Sequence, residues 1–305
     1  MISVIIPMYN AENYIEKTIT SIINQDFDDY ELIIVDDGST DKSKEIVDKY
    51  VDNKIHYLYQ ENSGAPAARN FGFSRAKGDY VLYFDADDTL NSQALRIFTK
   101  YTEAGYDLII GQYDRINETG NKISNKNNCK DKYSPYFIDP LPGNKLYRKQ
   151  FIIDNQLKFE KLKIGQDLNF YLQVLAHNPK VKQVKESIFS YYIHEGSISR
   201  SYNVSILDII TCFEIIEKKK YSIYEENKEI LETLKYNHYS YHFYKIPLYS
   251  DRKMKIKIYD TFKEAYNKLN YDYLLEQYID VNKKKVNLAL RYKYLFISPL
   301  VKLLY

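Results

Sequence analysis

YVLYFDADDTL, Tyr80 to Leu90, is a run of five apolar or aromatic residues that ends in three carboxylates, Asp85, Asp87 and Asp88. An unbroken apolar run of this length suits a strand covered on both faces, the usual condition in a parallel sheet. Like charges crowded at its end repel, and withdrawing them from water adds to the penalty unless something positive neutralises them. Either the turn faces solvent, or it holds a cation.

The residues upstream repeat the pattern. ISVIIP (Ile2 to Pro7), ELIIVDD (Glu31 to Asp37) and KIHYLY (Lys54 to Tyr59) read as three further strands. Between them lie helical stretches. Tyr14, Ile15, Ile19, Ile22 and Ile23 share one helix face, and Ile46, Val47, Tyr50 and Val51 share another. Asn10 is the expected cap of the first helix, and Ser39 or Thr40 of the second. ENSGAPAARNFGFSRAKG places Pro66 in the first turn of a third helix and Gly78 beyond its end. Strands alternating with helices imply right-handed crossovers and a doubly wound α/β sheet.

Composition fits an ordered chain: of 305 residues, 45% are hydrophobic and 28% charged. The net charge of +2 gives no global sign of a nucleic-acid partner. There are 33 tyrosines and no tryptophan, which casts tyrosine as a core residue with one polar end. Two cysteines far apart, Cys129 and Cys212, argue against a disulfide framework and for a reducing compartment. MISVIIPMYN reads as a strand and not as a signal peptide, and no stretch is apolar enough to span a bilayer. The expected location is the cytosol.

In open α/β sheets, ligands bind beyond the carboxyl ends of the strands. Those ends carry PMYN, DDGSTD, ENSG and DADD. One Asp-rich turn is ordinarily a solvated cap, but four polar turns on one rim point to a site. Hard carboxylate oxygens suit Mg²⁺ or Mn²⁺, which bind phosphates while keeping waters. A nucleoside diphosphate meets that description, with Arg69 as a candidate positive charge toward phosphate.

SVIIPMYNAENYIEKTITSIINQ, YELIIVDDGSTDKSKEIV, ENSGAPAARNFGFSRAKGDYVLYFDADD, GNKLYRKQFI and GQDLNFYLQVL, in this order, resemble the inverting family 2 glycosyltransferases of bacterial surface-glycan and capsule synthesis. The likeness spans roughly residues 1–200 and implies a GT-A fold: a Rossmann-like, mostly parallel sheet flanked by helices. It also implies roles. Pro7 and Tyr9 would line the base pocket, and Asp37 would accept from the uracil ring with Asn62 nearby. Arg69 would help hold the nucleotide. In the Asp85-Ala86-Asp87 element, Asp85 would reach the ribose and Asp87 the metal, Mn²⁺ or Mg²⁺. Asp88 would cap the next helix.

Inverting transfer also needs a general base facing the carboxylate cluster. Asp167, at the start of a helix carrying Leu168, Tyr171, Leu172 and Leu175, is the candidate. On its own it would read as an acid placed to suit the helix dipole. Many relatives have Glu-Asp here; this chain has Gln166-Asp167, which bears on acceptor recognition and removes one like charge. In YYIHEGSIS and the residue after it, the resemblance makes His194 a metal or diphosphate ligand and Ser197, Ser199 and Arg200 phosphate contacts. Lys145 is expected to border the acceptor cleft.

From about Ser205 the pattern turns helical, suggesting a catalytic domain over 1–204, divided near residue 100 into nucleotide and acceptor halves, and a helical appendage of four or five helices over 205–305. His238 and His242 lie one turn apart and read as helix surface or core. Lys283 to Tyr305 carries six Lys or Arg and no acid, which fits either the anionic inner face of a membrane or packing in the core or an oligomer. The expected reaction moves a hexose from UDP-galactose, UDP-glucose or UDP-N-acetylglucosamine to a hydroxyl of a glycan, glycoprotein or lipid-linked acceptor. Two rivals are a nucleotidyltransferase, for which PMYNAEN lacks a Gly-rich, lysine-bearing loop, and a non-catalytic sugar-nucleotide binder, which would have no use for the retained acids.

Overall fold

The computed structural model describes residues 1–117, 120–125, 131, 133–193, 204–249 and 251–279. The first half alternates β1 (Ile2–Met8), α1 (Ile15–Ile23), β2 (Tyr30–Asp36), α2 (Ser43–Val47), β3 (Ile55–Tyr59), α3 (Ala65–Arg75) and β4 (Tyr80–Tyr83). The sheet order β3-β2-β1-β4 is parallel throughout. Register sets Met8 beside Asp36 and Asp36 beside Tyr59, so the polar strand ends emerge on one rim.

The second half contributes β5 (Thr89–Leu90), α4 (Ala94–Thr99), β6 (Leu108–Ile116), β7 (Lys122–Asn125), β8 (Lys145–Arg148), α5 (Lys149–Asp154), α6 (Gln166–Ala176) and β9 (Val181–Tyr192). β8 enters antiparallel between β4 and β6, while β9 lies parallel to β6. β5 and β7 pair antiparallel with β9 and β6. The parallel character expected of the sheet therefore belongs to β1–β4 and to the β6–β9 pair. β8 and β5 pair antiparallel with strands distant in sequence, so the chain crosses over to reach them.

Both faces of the sheet are covered, which explains the continuous apolar runs. Val4, Ile6, Leu32, Ile34, Leu82 and Phe84 pack under Ile15, Ile19 and Ile22 of α1. Their alternates Ile5, Ile33, Val35, Val81 and Tyr83 pack against Ala68 of α3 and Phe170, Tyr171 and Val174 of α6. α3 sits very close to the sheet: a Cβ on Gly72 would fall 2.5 Å from Ile5 Cγ2. Only glycine fits there.

Four more helices follow: α7 (Asp208–Lys218), α8 (Ser222–Glu226), α9 (Lys228–Phe243) and α10 (Arg252–Asn267). Their core takes in Leu168 and Leu172 from the outer side of α6, so α6 is packed between the sheet and these helices. Polar bonds reinforce the contact. Asn169 Nδ2 donates to the Cys212 carbonyl, and the Tyr224 hydroxyl donates to the Leu172 carbonyl. Tyrosine does serve as core here: Tyr236, Tyr249, Tyr259 and Tyr266 are fully buried. Tyr266 satisfies its hydroxyl on Ser240 Oγ. Among the described residues, no helix is long and apolar enough to cross a membrane.

Two capping expectations are corrected. α1 begins at Ile15, and Asn10 instead adopts a positive φ of 47° and bridges two loops. Its N–H donates to Ser39 Oγ, and its Oδ1 accepts from the Thr40 N–H. α2 begins at Ser43, whose N–H is taken by Asp41 Oδ1, not by Ser39 or Thr40. The loops hold each other because neither helix comes close enough to use these side chains.

Candidate active site

The rim is built from the ends of β1, β2 and β4 and the start of α3. Asp36 anchors one side: Oδ1 accepts from the Ser39 N–H and Oδ2 from the Tyr57 hydroxyl at 2.7 Å. Asp37 is buried and arranges the next loop, accepting from Gln60 Nε2 and the N–H groups of Ser63 and Gly64 at 2.7 to 2.8 Å. A carboxylate has about four acceptor positions, so Asp37 shapes this pocket and retains room for one more donor. Pro7 is half-buried, Tyr9 is 52% exposed and Asn62 is exposed beside them, where a planar ring could lie.

At the end of β4 the acidic turn is partly neutralised from within. The guanidinium of Arg69, rising from α3, lies 2.6 Å from Asp85 Oδ1 and 3.0 Å from Asp167 Oδ1. Its other face rests 5.1 Å from the Phe159 ring centre. Arg69 is itself only 2% exposed, which corrects the expectation that it reaches toward phosphate: its charge is spent on two carboxylates. A planar fork with two charged faces suits this bridging task in a way that a lysine ammonium does not.

Asp85 and Asp87 remain half-buried on the turn, with Ala86 between them packed on the core. Asp88 is corrected too. It is 2% exposed, β5 and not a helix follows it, and its Oδ1 accepts from the Tyr192 N–H. Burial, then the adjacent charges of Asp87 and Asp85, push its carboxyl well above the ordinary range. The hydroxyl of Thr18 from α1 clamps the turn by donating to the carbonyls of Ala86 and Asp88.

Asp167 occupies the first turn of α6, which starts abruptly because Gly165 takes φ +82°. Burial raises the Asp167 carboxyl to about 6, against the opposing pull of Arg69 and with help from Asp85. The absence of a second acid at position 166 does not keep it low; desolvation outweighs that saving. Gln166 is buried beside it, and its Oε1 has no hydrogen-bond partner among the described residues.

Lys145 is not at the cleft. It is fully buried, and its Nζ donates to the carbonyls of Asp139 and Leu141 and to Asn144 Oδ1. Burial lowers its ammonium to about 7. Three acceptors turned inward capture the side chain before solvent can. His194, Ser197, Ser199 and Arg200 lie outside the described residues, as does the basic stretch from Lys283 to Tyr305.

A cleft of about 560 Å³ opens beside Asp167. Gly165, Asp167 and Leu168 form one wall, and Asn237, His238, Tyr241 and His242 of α9 face them. Sequence reasoning left these histidines as surface or core and passed over Asp139, which also lines the cleft. The available signal was two histidines one helical turn apart, with Asn237 and Tyr241 beside them.

Residues 3–169 match the family described as glycosyl transferase family 2. The chain belongs to that family. This family 2 chain is 33% identical over 220 residues to glycosyltransferase GlyA of Streptococcus pneumoniae, covering 65% of itself and 31% of that protein. It is 33% identical over 210 residues to the poly(ribitol-phosphate) beta-glucosyltransferase of Bacillus spizizenii, covering 65% of itself and 32% of that relative. It thus spans about a third of each. Among solved structures, it shares its fold with S. aureus TarS 1–349 in complex with UDP-GlcNAc, with a TM-score of 0.74 and 23% identity, covering 97% of this chain and 88% of that one.

Proposed function

We propose that this chain transfers a hexose from a UDP-sugar, with inversion, to a hydroxyl of a glycan in bacterial surface-polysaccharide or glycoprotein assembly. The observation that carries the reading is the Arg69 bridge: one buried guanidinium joins Asp85 on the rim to Asp167 on α6. Nucleotide-side and acceptor-side carboxylates therefore belong to a single site.

In this reading Pro7, Tyr9, Asp37 and Asn62 receive the uridine, and Asp85 meets its ribose. Asp167 accepts the proton of the acceptor hydroxyl as that oxygen attacks the anomeric carbon. The bond from that carbon to the distal phosphate oxygen breaks, and UDP leaves with the electron pair. A base with its carboxyl near 6 is largely ionised at neutral pH yet basic enough to take a proton.

The donor set also fits a divalent ion. Asp85 and Asp87 bring hard oxygens to one half-buried turn. Among the described residues no three His, Cys, Asp or Glu side chains form a complete cage. Mn²⁺ or Mg²⁺ commonly binds through one or two carboxylates and substrate phosphates. When bound, such an ion would supply charge neutralisation for the departing diphosphate. Asp87 is the residue assigned to hold it, because Asp85 already engages Arg69.

The test is a panel of UDP-galactose, UDP-glucose and UDP-N-acetylglucosamine with Mn²⁺, read as UDP release, with EDTA as control. Release from one donor that EDTA suppresses is expected. Folded protein that neither binds UDP nor releases it from any of the three would refute the proposal.

A further inference from the structure

The wall of the cleft contributed by α9 is not among the residues proposed to hold the donor. Its chemistry is distinctive. His242 is 9% exposed, lines the cleft, and its Nδ1 has no hydrogen-bond partner among the described residues. A buried polar atom without a partner is penalised, and a bound hydroxyl would relieve that. His238 lies one turn earlier on the same wall, and Tyr136, Phe137 and Tyr241 add aromatic surface. A few convergent polar groups among apolar and aromatic ones, in a volume of several hundred Å³, describe a small-molecule site.

The charges narrow the ligand. Among the described residues the lining contains one cation, Arg115, against two carboxylates, Asp139 and Asp167. The histidines add nothing positive: burial lowers His238 to about 4 and His242 to about 3. Among the described residues, a phosphodiester here would approach two carboxylates with Arg115 in the lining and Lys245 over the Tyr241 ring to offset them. A pyranose needs no such offset, since it presents one apolar face to an aromatic ring and a rim of hydroxyls to polar atoms.

We propose that the α9 face of this cleft, His238, Tyr241 and His242, is a subsite for an uncharged pyranose of the acceptor, held with a hydroxyl directed at Asp167. This rests on Asp167 being the base of the transfer reaction. The helices after residue 204 then select the acceptor as well as bracing α6.

The test uses the full chain with methyl glycosides of glucose, galactose and N-acetylglucosamine, and ribitol 5-phosphate, as probes in saturation-transfer NMR. Tyr241→Ala and His242→Gln are compared with the parent, and UDP is titrated into the same samples. At least one neutral glycoside should bind better than ribitol 5-phosphate, and both variants should weaken it fivefold or more. Tyr241 is 54% exposed, so its truncation still carries the test if the histidine variant does not fold. Glycoside binding unchanged in folded Tyr241→Ala, no glycoside binding at all, or a preference for ribitol 5-phosphate would overturn the subsite. UDP uptake separates the two ideas. Its loss from the parent with glycoside binding kept removes the donor reading alone, and the converse removes the subsite alone.

Discussion

The two sides of the site are made differently. On the nucleotide side, short loops at parallel strand ends tie one another down through side chains: Asn10 to Thr40, Asp36 to Ser39, Asp37 to Ser63 and Gly64. On the acceptor side, Asp167 sits on a helix packed between the sheet core and a tyrosine-rich helical core. The first design gives a rim of fixed polar atoms. The second fixes one carboxylate by its scaffold and leaves the facing wall free to vary. Arg69 is where the two designs meet.

The contrast can be broken at several points. The largest effect is expected for Asp167→Asn, which keeps the shape but removes the base; loss of a general base reduces turnover by about 10²–10⁴. Near-parent transfer by the folded variant would sink the assignment. Next is Arg69→Leu. Removing one partner of a buried ion pair costs about 3–5 kcal/mol, measurable as a lowered denaturant midpoint, and the Asp167 carboxyl should titrate higher. An unchanged midpoint would show that the bridge is dispensable.

The pH profile ranks third. As the proposed base, Asp167 must be ionised, and its carboxyl is raised to about 6, so the protonated form dominates below that value. The ratio kcat/KM should then fall about tenfold per pH unit below 6 and level off above 7. A flat profile down to pH 4.5 would contradict the assignment. Lys145→Met should cost about 1–3 kcal/mol by stranding three buried acceptors, with little change in acceptor KM; a large KM change would restore Lys145 to the cleft. The smallest effect is expected at Asn10→Ala, about 1 kcal/mol from an alanine at positive φ and the lost side-chain bond from the Thr40 N–H, read by thermal unfolding.

These differences also mark what could be read from the chain alone. The β1–β4 unit was legible because strands buried on both faces leave continuous apolar runs, punctuated by polar turns whose common direction follows from parallel topology. The same reading drew attention to Asp85 at the end of β4, whereas Asp167 was singled out by the family resemblance. What joins them was not legible: Arg69 is 16 residues from one partner and 98 from the other, and nothing local in APAARNFG reports either contact. Lys145 was misplaced because a lysine after Pro-Gly-Asn reads as exposed, while its capture depends on carbonyls oriented by the fold. Asp88 failed likewise, since its partner is the Tyr192 N–H on β9. The α9 wall was half visible, as two histidines one turn apart, but only the packing of α9 opposite α6 turns that face toward the acid.

A guanidinium divided between Asp85 and Asp167 makes the strength of the base a shared property. Whatever draws positive charge toward Asp85 leaves less for Asp167, whose proton affinity then rises. If Asp85 meets the donor as proposed, the change would reach Asp167 through that one side chain.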